Sequence, residues 1–159
     1  MASPRRPRAP TLGEELDALF MEFFRLKASY PDRKRGLLGL ERRWLRRTAS
    51  PARRLAVRRI IAKTLLTEAF GFDMPWEEFG RWFRRLQHLG FRDLGMRVHV
   101  ACLYVQSLHL FPQRAQEAWD MLEDVERGVR RLPLERPLRH EHLESIAHAR
   151  AVAQIPSPG

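Results

Sequence analysis

The chain is expected to be all-α, a compact single-domain bundle of about six to seven helices with a flexible basic N-terminal arm. Three observations predict this. Apolar residues recur at three- and four-residue spacing in one segment after another. Ser, Thr, Pro and Gly punctuate those segments where helix ends place them. No stretch of strand length gives a clear alternating pattern. At 159 residues the chain is long enough for one real core. With 44% apolar and 9% aromatic residues, its 30% charged content does not imply disorder.

Residues 1–10 (MASPRRPRAP) hold three prolines and three arginines and little to bury, so they are expected to form the flexible arm. The helical domain is then 11–154, and 155–159 is expected to be a flexible tail. Thr11 and Glu14 have capping-box spacing, and Leu16, Leu19, Phe20, Phe23 and Phe24 predict a first helix over about 12–28. Pro31 and the run Asp32 to Gly36 interrupt the period, after which Leu37, Leu40, Trp44 and Leu45 predict a short second helix. Ser50 and Pro51 open a third, which ends at Gly71. Its Leu55, Val57, Ile60, Ile61, Leu65 and Leu66 cover most of the circumference, leaving a polar strip near Arg59 and Lys63 and predicting a central position.

Asp73 is the expected cap of a fourth helix, with Pro75, Glu77 and Glu78 in its opening turn and Gly90 at its end. Residues 91–111 carry a helical period through Leu94, Val98, Ala101, Cys102, Val105 and Leu108. Val98, Val100, Leu103, Tyr104 and Val105 would also suit a strand, but the segment is too long for one. Pro112 opens a sixth helix with Ala118, Trp119, Leu122, Val125 and Val129 on one face. A seventh, over about 138–154, turns Leu143, Ile146 and Val152 inward. The pair 91–111 and 113–131 has the proportions of a helical-repeat hairpin, but no second copy follows, which favours a bundle over a solenoid.

The motifs argue against catalysis. No nucleophile elbow, phosphate-binding glycine loop or kinase-like set is present. Histidines 88, 99, 109, 140, 142 and 148 match no metal-ligand spacing, and His140 and His142 fall on different sides of a helix. Cys102, the single cysteine, lies on an apolar face and reads as core; one cysteine allows no internal disulfide. No apolar run approaches the ~18 residues of a membrane span, and the basic N-terminus lacks a signal core. The expectation is a cytoplasmic protein that is not an enzyme, with no cofactor, no metal, no membrane span and no evident small-molecule substrate.

Charge is the positive signal. Lys and Arg number 29 against 19 Asp and Glu, a net +10, and only Lys27, Lys34 and Lys63 are lysines. An arginine bias can reflect coding composition, or a need for guanidinium, which binds phosphate bidentately and stacks on bases. Between residues 32 and 64 stand twelve cations and two acids, so the whole net charge lies in about a fifth of the chain. Helical spacing sets Arg42 near Arg46 and Arg43 near Arg47, opposite Trp44 and Leu45. Arg53 and Arg54 in the first turn of the third helix, with Arg58 and Arg59 in the second, oppose its dipole and ask for a compensating anion.

Arg42, Arg43, Arg46, Arg47, Arg53, Arg54, Arg58, Arg59 and Lys63 are therefore the candidate nucleic-acid-binding set, directed at an RNA or single-stranded DNA backbone. A helix-turn-helix fits poorly, because the third helix is apolar nearly all round and offers few Asn, Gln or Ser readers. Trp76, Phe79, Trp82 and Phe83 beside Arg81, Arg84 and Arg85 have the spacing of a base-stacking platform and equally that of a core. In size, helicity and arginine content the chain is similar to the small helical subunits of ribonucleoprotein machines, CRISPR effector complexes among them, a similarity of composition without a shared motif. It implies a non-catalytic accessory subunit of a larger nucleoprotein assembly. The alternatives are a helical adaptor that docks an acidic protein partner or self-associates, and a solvated basic surface tied to the acids of residues 117–126.

Overall fold

Thr11 begins the ordered helices. Its Oγ1 accepts from the Glu14 N–H at 3.1 Å, the expected cap, while the Glu14 carboxylate accepts from the Thr11 hydroxyl at 3.2 Å. In this computed structural model, which describes residues 3–154, α1 (Leu12–Leu26) follows from that cap. It closes at Lys27, in the left-handed region at φ 49°, with the Ala28 N–H donating to Phe23 O at 2.9 Å. The chain divides into two compact units, Met1–Val57 and Arg58–Gly159, and each is described in turn.

In unit 1, α2 (Tyr30–Arg47) starts well before the short helix expected from Leu37. Ser29 caps it: the Asp32 N–H donates to Ser29 Oγ at 3.4 Å, and Ser29 Oγ donates to the Asp32 carboxylate at 3.1 Å. Pro31 falls in the first turn, where its missing N–H costs nothing, so it belongs to the helix start rather than to a break. Phe23, Tyr30, Leu37, Leu40 and Val57 are buried, and the Trp44 indole N–H donates to the Glu15 carboxylate. Residues 3–10 are exposed and without regular secondary structure, although Arg8 reaches Glu14 at 2.6 Å.

The two helices pack closely at Gly36, where a Cβ would lie 2.8 Å from Phe23 Cζ and 3.6 Å from Leu19 Cδ1. The Phe23 ring is held edge-on by Phe20, with 5.7 Å between centroids, and lies under the Arg33 guanidinium. It has little room to withdraw. Gly36→Val should therefore destabilise unit 1 by about 1–3 kcal/mol through overpacking. Urea unfolding followed on Trp44 measures this, and an unchanged midpoint would show that the helices can separate freely there.

α3 (Pro51–Gly71) contributes residues 51–57 to unit 1 and residues 58–71 to unit 2. Unit 2 continues with α4 (Trp76–Leu89), α5 (Leu94–Gln106), a 3-10 turn over Pro112–Arg114, α6 (Ala115–Arg130) and α7 (Pro137–Gln154). Pro75, not Asp73, occupies the cap position of α4. Asp73 has φ 50°, and its N–H donates to Phe70 O at 3.1 Å, so it finishes α3 instead of opening α4. α5 is shorter than the expected 91–111. Asp93 caps it by accepting from the Met96 N–H at 2.8 Å, and it stops at Ser107, whose hydroxyl donates to Leu103 O at 2.8 Å.

The centre of unit 2 is α5. Val98, Val100, Ala101, Leu103, Tyr104 and Val105 are all buried, so their strand-like composition is that of a helix apolar round most of its circumference. α3, expected to be central, buries Ile61, Leu65 and Leu66 completely and leaves Ile60 37% exposed. Phe79, Phe83, Tyr104 and Phe111 gather round Trp76, with Trp76 and Tyr104 stacked at 5.8 Å. Phe79, Trp82 and Phe83 are at most 1% exposed and belong to the core and not to a base-stacking surface, while Trp76 is half-buried. Among the described residues there are seven α-helices and no strand, and no helix is long and apolar enough to cross a membrane. The expected tail, 155–159, lies outside the described residues.

Candidate nucleic-acid interface

Helix periodicity turns Leu40, Trp44 and Leu45 of α2 toward the interior of unit 1 and leaves Arg42, Arg43, Arg46 and Arg47 exposed. Gly39 sharpens that arrangement. The Arg43 and Arg42 guanidinium groups lie 3.7 and 3.8 Å from the position a Cβ would take there, so both fold back over the same bare backbone. Two like charges are thereby brought to one place. Among the described residues no acid pairs with Arg42, Arg43 or Arg46, whereas Arg47 approaches Glu15 at 3.7 Å. Arg53 is exposed in the first turn of α3.

Arg54 has a different task. Its guanidinium donates to the carbonyls of Leu45 and Thr48, the latter at 3.2 Å, and so caps the C-terminal end of α2. The charge that opposes the α3 dipole is thus met by the negative end of the preceding helix. No external anion is needed for it.

The other three candidates belong to unit 2. Arg58 is exposed. Arg59 is half-buried and donates from Nη2 to Leu89 O at 3.1 Å, capping α4 as Arg54 caps α2, while its buried Nε has no partner among the described residues. Lys63 lines a groove shared with His99. Arg59→Ala should accordingly lower the stability of unit 2 by about 1–3 kcal/mol, because it strands a helix-terminal carbonyl. Arg58→Ala should leave it unchanged. Thermal melts of the two variants distinguish the roles, and equal effects would refute the assignment.

Three acids of α6 are paired with arginines inside unit 2. Arg97 and Arg127 meet Asp124 at 2.7 and 3.5 Å, and Arg114 meets Glu117 at 3.7 Å. Glu126 takes both Arg150, at 2.5 Å, and Arg130, at 2.9 Å. The Arg150 bond holds the Glu126 carboxyl below the usual carboxylate range. Charge therefore divides unevenly: residues 1–57 carry fourteen Lys and Arg against six Asp and Glu, and residues 58–159 fifteen against thirteen.

Cys102 is buried, and burial pushes its thiol up to about 11, far from nucleophilic ionisation at neutral pH. Burial, followed by the Glu117 charge, likewise raises the Tyr104 phenol. No protein-family model matches the chain, and no curated protein or solved structure is significantly similar to it.

Proposed function

We propose that this protein is a non-catalytic nucleic-acid-binding accessory protein, whose unit 1 holds the phosphate backbone of RNA or single-stranded DNA through Arg42, Arg43 and Arg46, with Arg47 and Arg53 beside them. The observation that carries this reading is the convergence of the Arg42 and Arg43 guanidinium groups over Gly39, with no acid paired to either among the described residues. Holding two unneutralised guanidiniums together is unfavourable by itself, and a phosphate oxygen pair relieves it through charge-assisted hydrogen bonds. Arg54, Arg58, Arg59 and Lys63 leave the candidate set on this reading, Arg54 and Arg59 as helix caps and Arg58 and Lys63 as residues of unit 2. A place as a small subunit in a larger nucleoprotein assembly is consistent with a surface that reads charge and not sequence.

A second reading, a helical adaptor for a protein partner, draws on α1, where Met21 and Phe24 are 70% and 80% exposed. Fluorescence-anisotropy titration of the full chain with labelled single-stranded RNA, single-stranded DNA and duplex DNA over a salt series separates the two. Backbone binding requires affinity for single strands of any sequence that falls steeply with salt. Failure to bind any strand at low salt overturns it in favour of the adaptor.

A further inference from the structure

Unit 2 contains an open groove of about 730 Å³. Its floor is the face of α5 that presents Gly95, His99, Cys102 and Gln106 at successive turns, with residues of α7 along one side and Lys63 of α3 on the other. A cavity of this size is in the range that holds a small organic ligand. The charged and titratable groups facing His99 there are Lys63 from α3, Asp93 at the head of α5, and His142, Glu144 and His148 from α7.

Both acids are engaged. Asp93 accepts the Met96 N–H as the cap of α5, and Glu144 pairs with His140 at 2.9 Å. The nitrogen groups Lys63, His142 and His148 have no acid partner among the described residues. His99 is oriented by a chain of two bonds. The Thr67 hydroxyl donates its proton to Lys63 O at 2.9 Å, so it can only accept from the ring, and His99 Nε2–H donates to it at 2.9 Å. The imidazole is thereby fixed as the Nε2–H tautomer, with Nδ1 the nitrogen free to gain a proton.

We propose that this groove binds a small organic phosphate, its anionic group seated against Lys63 and His99 and its organic body along Met96, Cys102 and Leu103. Lys63 and three imidazoles can together donate to several anionic oxygens, and a phosphate monoester presents three of these where a single carboxylate presents two. Burial, and then the Lys63 charge, hold His99 below its ordinary 6.5, so the unliganded ring is neutral at neutral pH. A dianion beside Lys63 reverses that repulsion, and the ring takes up a proton at Nδ1 on binding. Affinity therefore rises as the pH falls from neutral, until the phosphate dianion itself takes up a proton at about pH 6.

Phenyl phosphate, benzoate and benzyl alcohol titrated into the full chain, with the imidazole ¹H–¹⁵N resonances as readout, test this. Phenyl phosphate should shift His99, raise its pKa and bind about tenfold tighter than benzoate, while benzyl alcohol leaves the ring unmoved. Lys63→Gln should weaken phenyl phosphate about tenfold, with Lys63→Arg restoring most of it. Arg42→Ala/Arg43→Ala should change nothing at His99, which separates the groove from the α2 surface. An unresponsive His99, benzoate binding as tightly as phenyl phosphate, or an undiminished affinity in Lys63→Gln overturns the proposal.

Discussion

Phe79→Ala should destabilise unit 2 by about 3–5 kcal/mol, the cost of deleting a fully buried ring whose surroundings cannot collapse into the space. Phe79 has no exposed surface and sits 5.1 Å from Phe111, 5.9 Å from Tyr104 and 6.4 Å from Trp76, centroid to centroid. Those neighbours are themselves pinned. Trp76 lies beneath the Arg114 and Arg84 guanidiniums at 4.1 and 5.6 Å, and a Cβ at Gly80 would already stand 2.6 Å from its ring. A unit of this size holds about 5–15 kcal/mol in all, so the variant should lie near its unfolding threshold at ambient temperature. Urea unfolding followed on tryptophan fluorescence reads the loss as a lower midpoint at constant slope. Phe79→Leu, which keeps most of the volume, should recover more than half of it. A loss under about 1 kcal/mol would mean that the aromatic cluster is loosely packed.

The second large effect is on binding. If Arg42, Arg43, Arg46, Arg47 and Arg53 each meet one phosphate, the slope of log affinity against log salt for a single strand is about −3.5, at roughly 0.7 per phosphate. Replacing Arg42, Arg43 and Arg46 by alanine leaves two contacts and a slope of about −1.4. Affinity at low salt should fall by two to three orders of magnitude, at roughly 1–1.5 kcal/mol for each lost charge-assisted contact. Stability should hardly change, because these side chains are exposed and cap nothing. Arg54→Ala is the complementary control: it should weaken unit 1 by freeing the Leu45 and Thr48 carbonyls. If the triple variant bound with an unaltered slope, the phosphate contacts would have to lie elsewhere.

Most helices were legible because their ends carry chemistry as well as periodicity. Thr11 with Glu14, and Gly90 at φ 73°, act as their residue types imply. The start of α2 was hidden because Asp32, Arg33, Lys34 and Arg35 have no apolar rhythm; Ser29 and Asp32, at capping-box spacing, were the signal that outranked it. Asp73 and Pro75 misled in the opposite sense, since an Asp that readily adopts positive φ can end one helix as easily as cap the next.

Among the arginines, number and spacing revealed the exposed face of α2 but not the division of labour. Neighbours in sequence, Arg58 and Arg59, differ only in which one reaches the Leu89 carbonyl, a contact thirty residues away that no local pattern records. The groove was invisible for the same reason. Lys63, His99 and His148 are far apart along the chain, and their proximity is a product of helix packing.

Arg54 ties the last carbonyls of α2 to the first turn of α3, and so the segment that bears the exposed arginines does not end in a fraying helix terminus. On the proposed function, a strand that lands on it would meet a surface already folded, and association would not wait for a helix to form. Capture should then run at a rate governed by long-range attraction and ionic strength, with a heat-capacity change far smaller than that of coupled folding. Cutting the Arg54 tether would turn the same arginines into a recognition segment that has to order itself each time it binds.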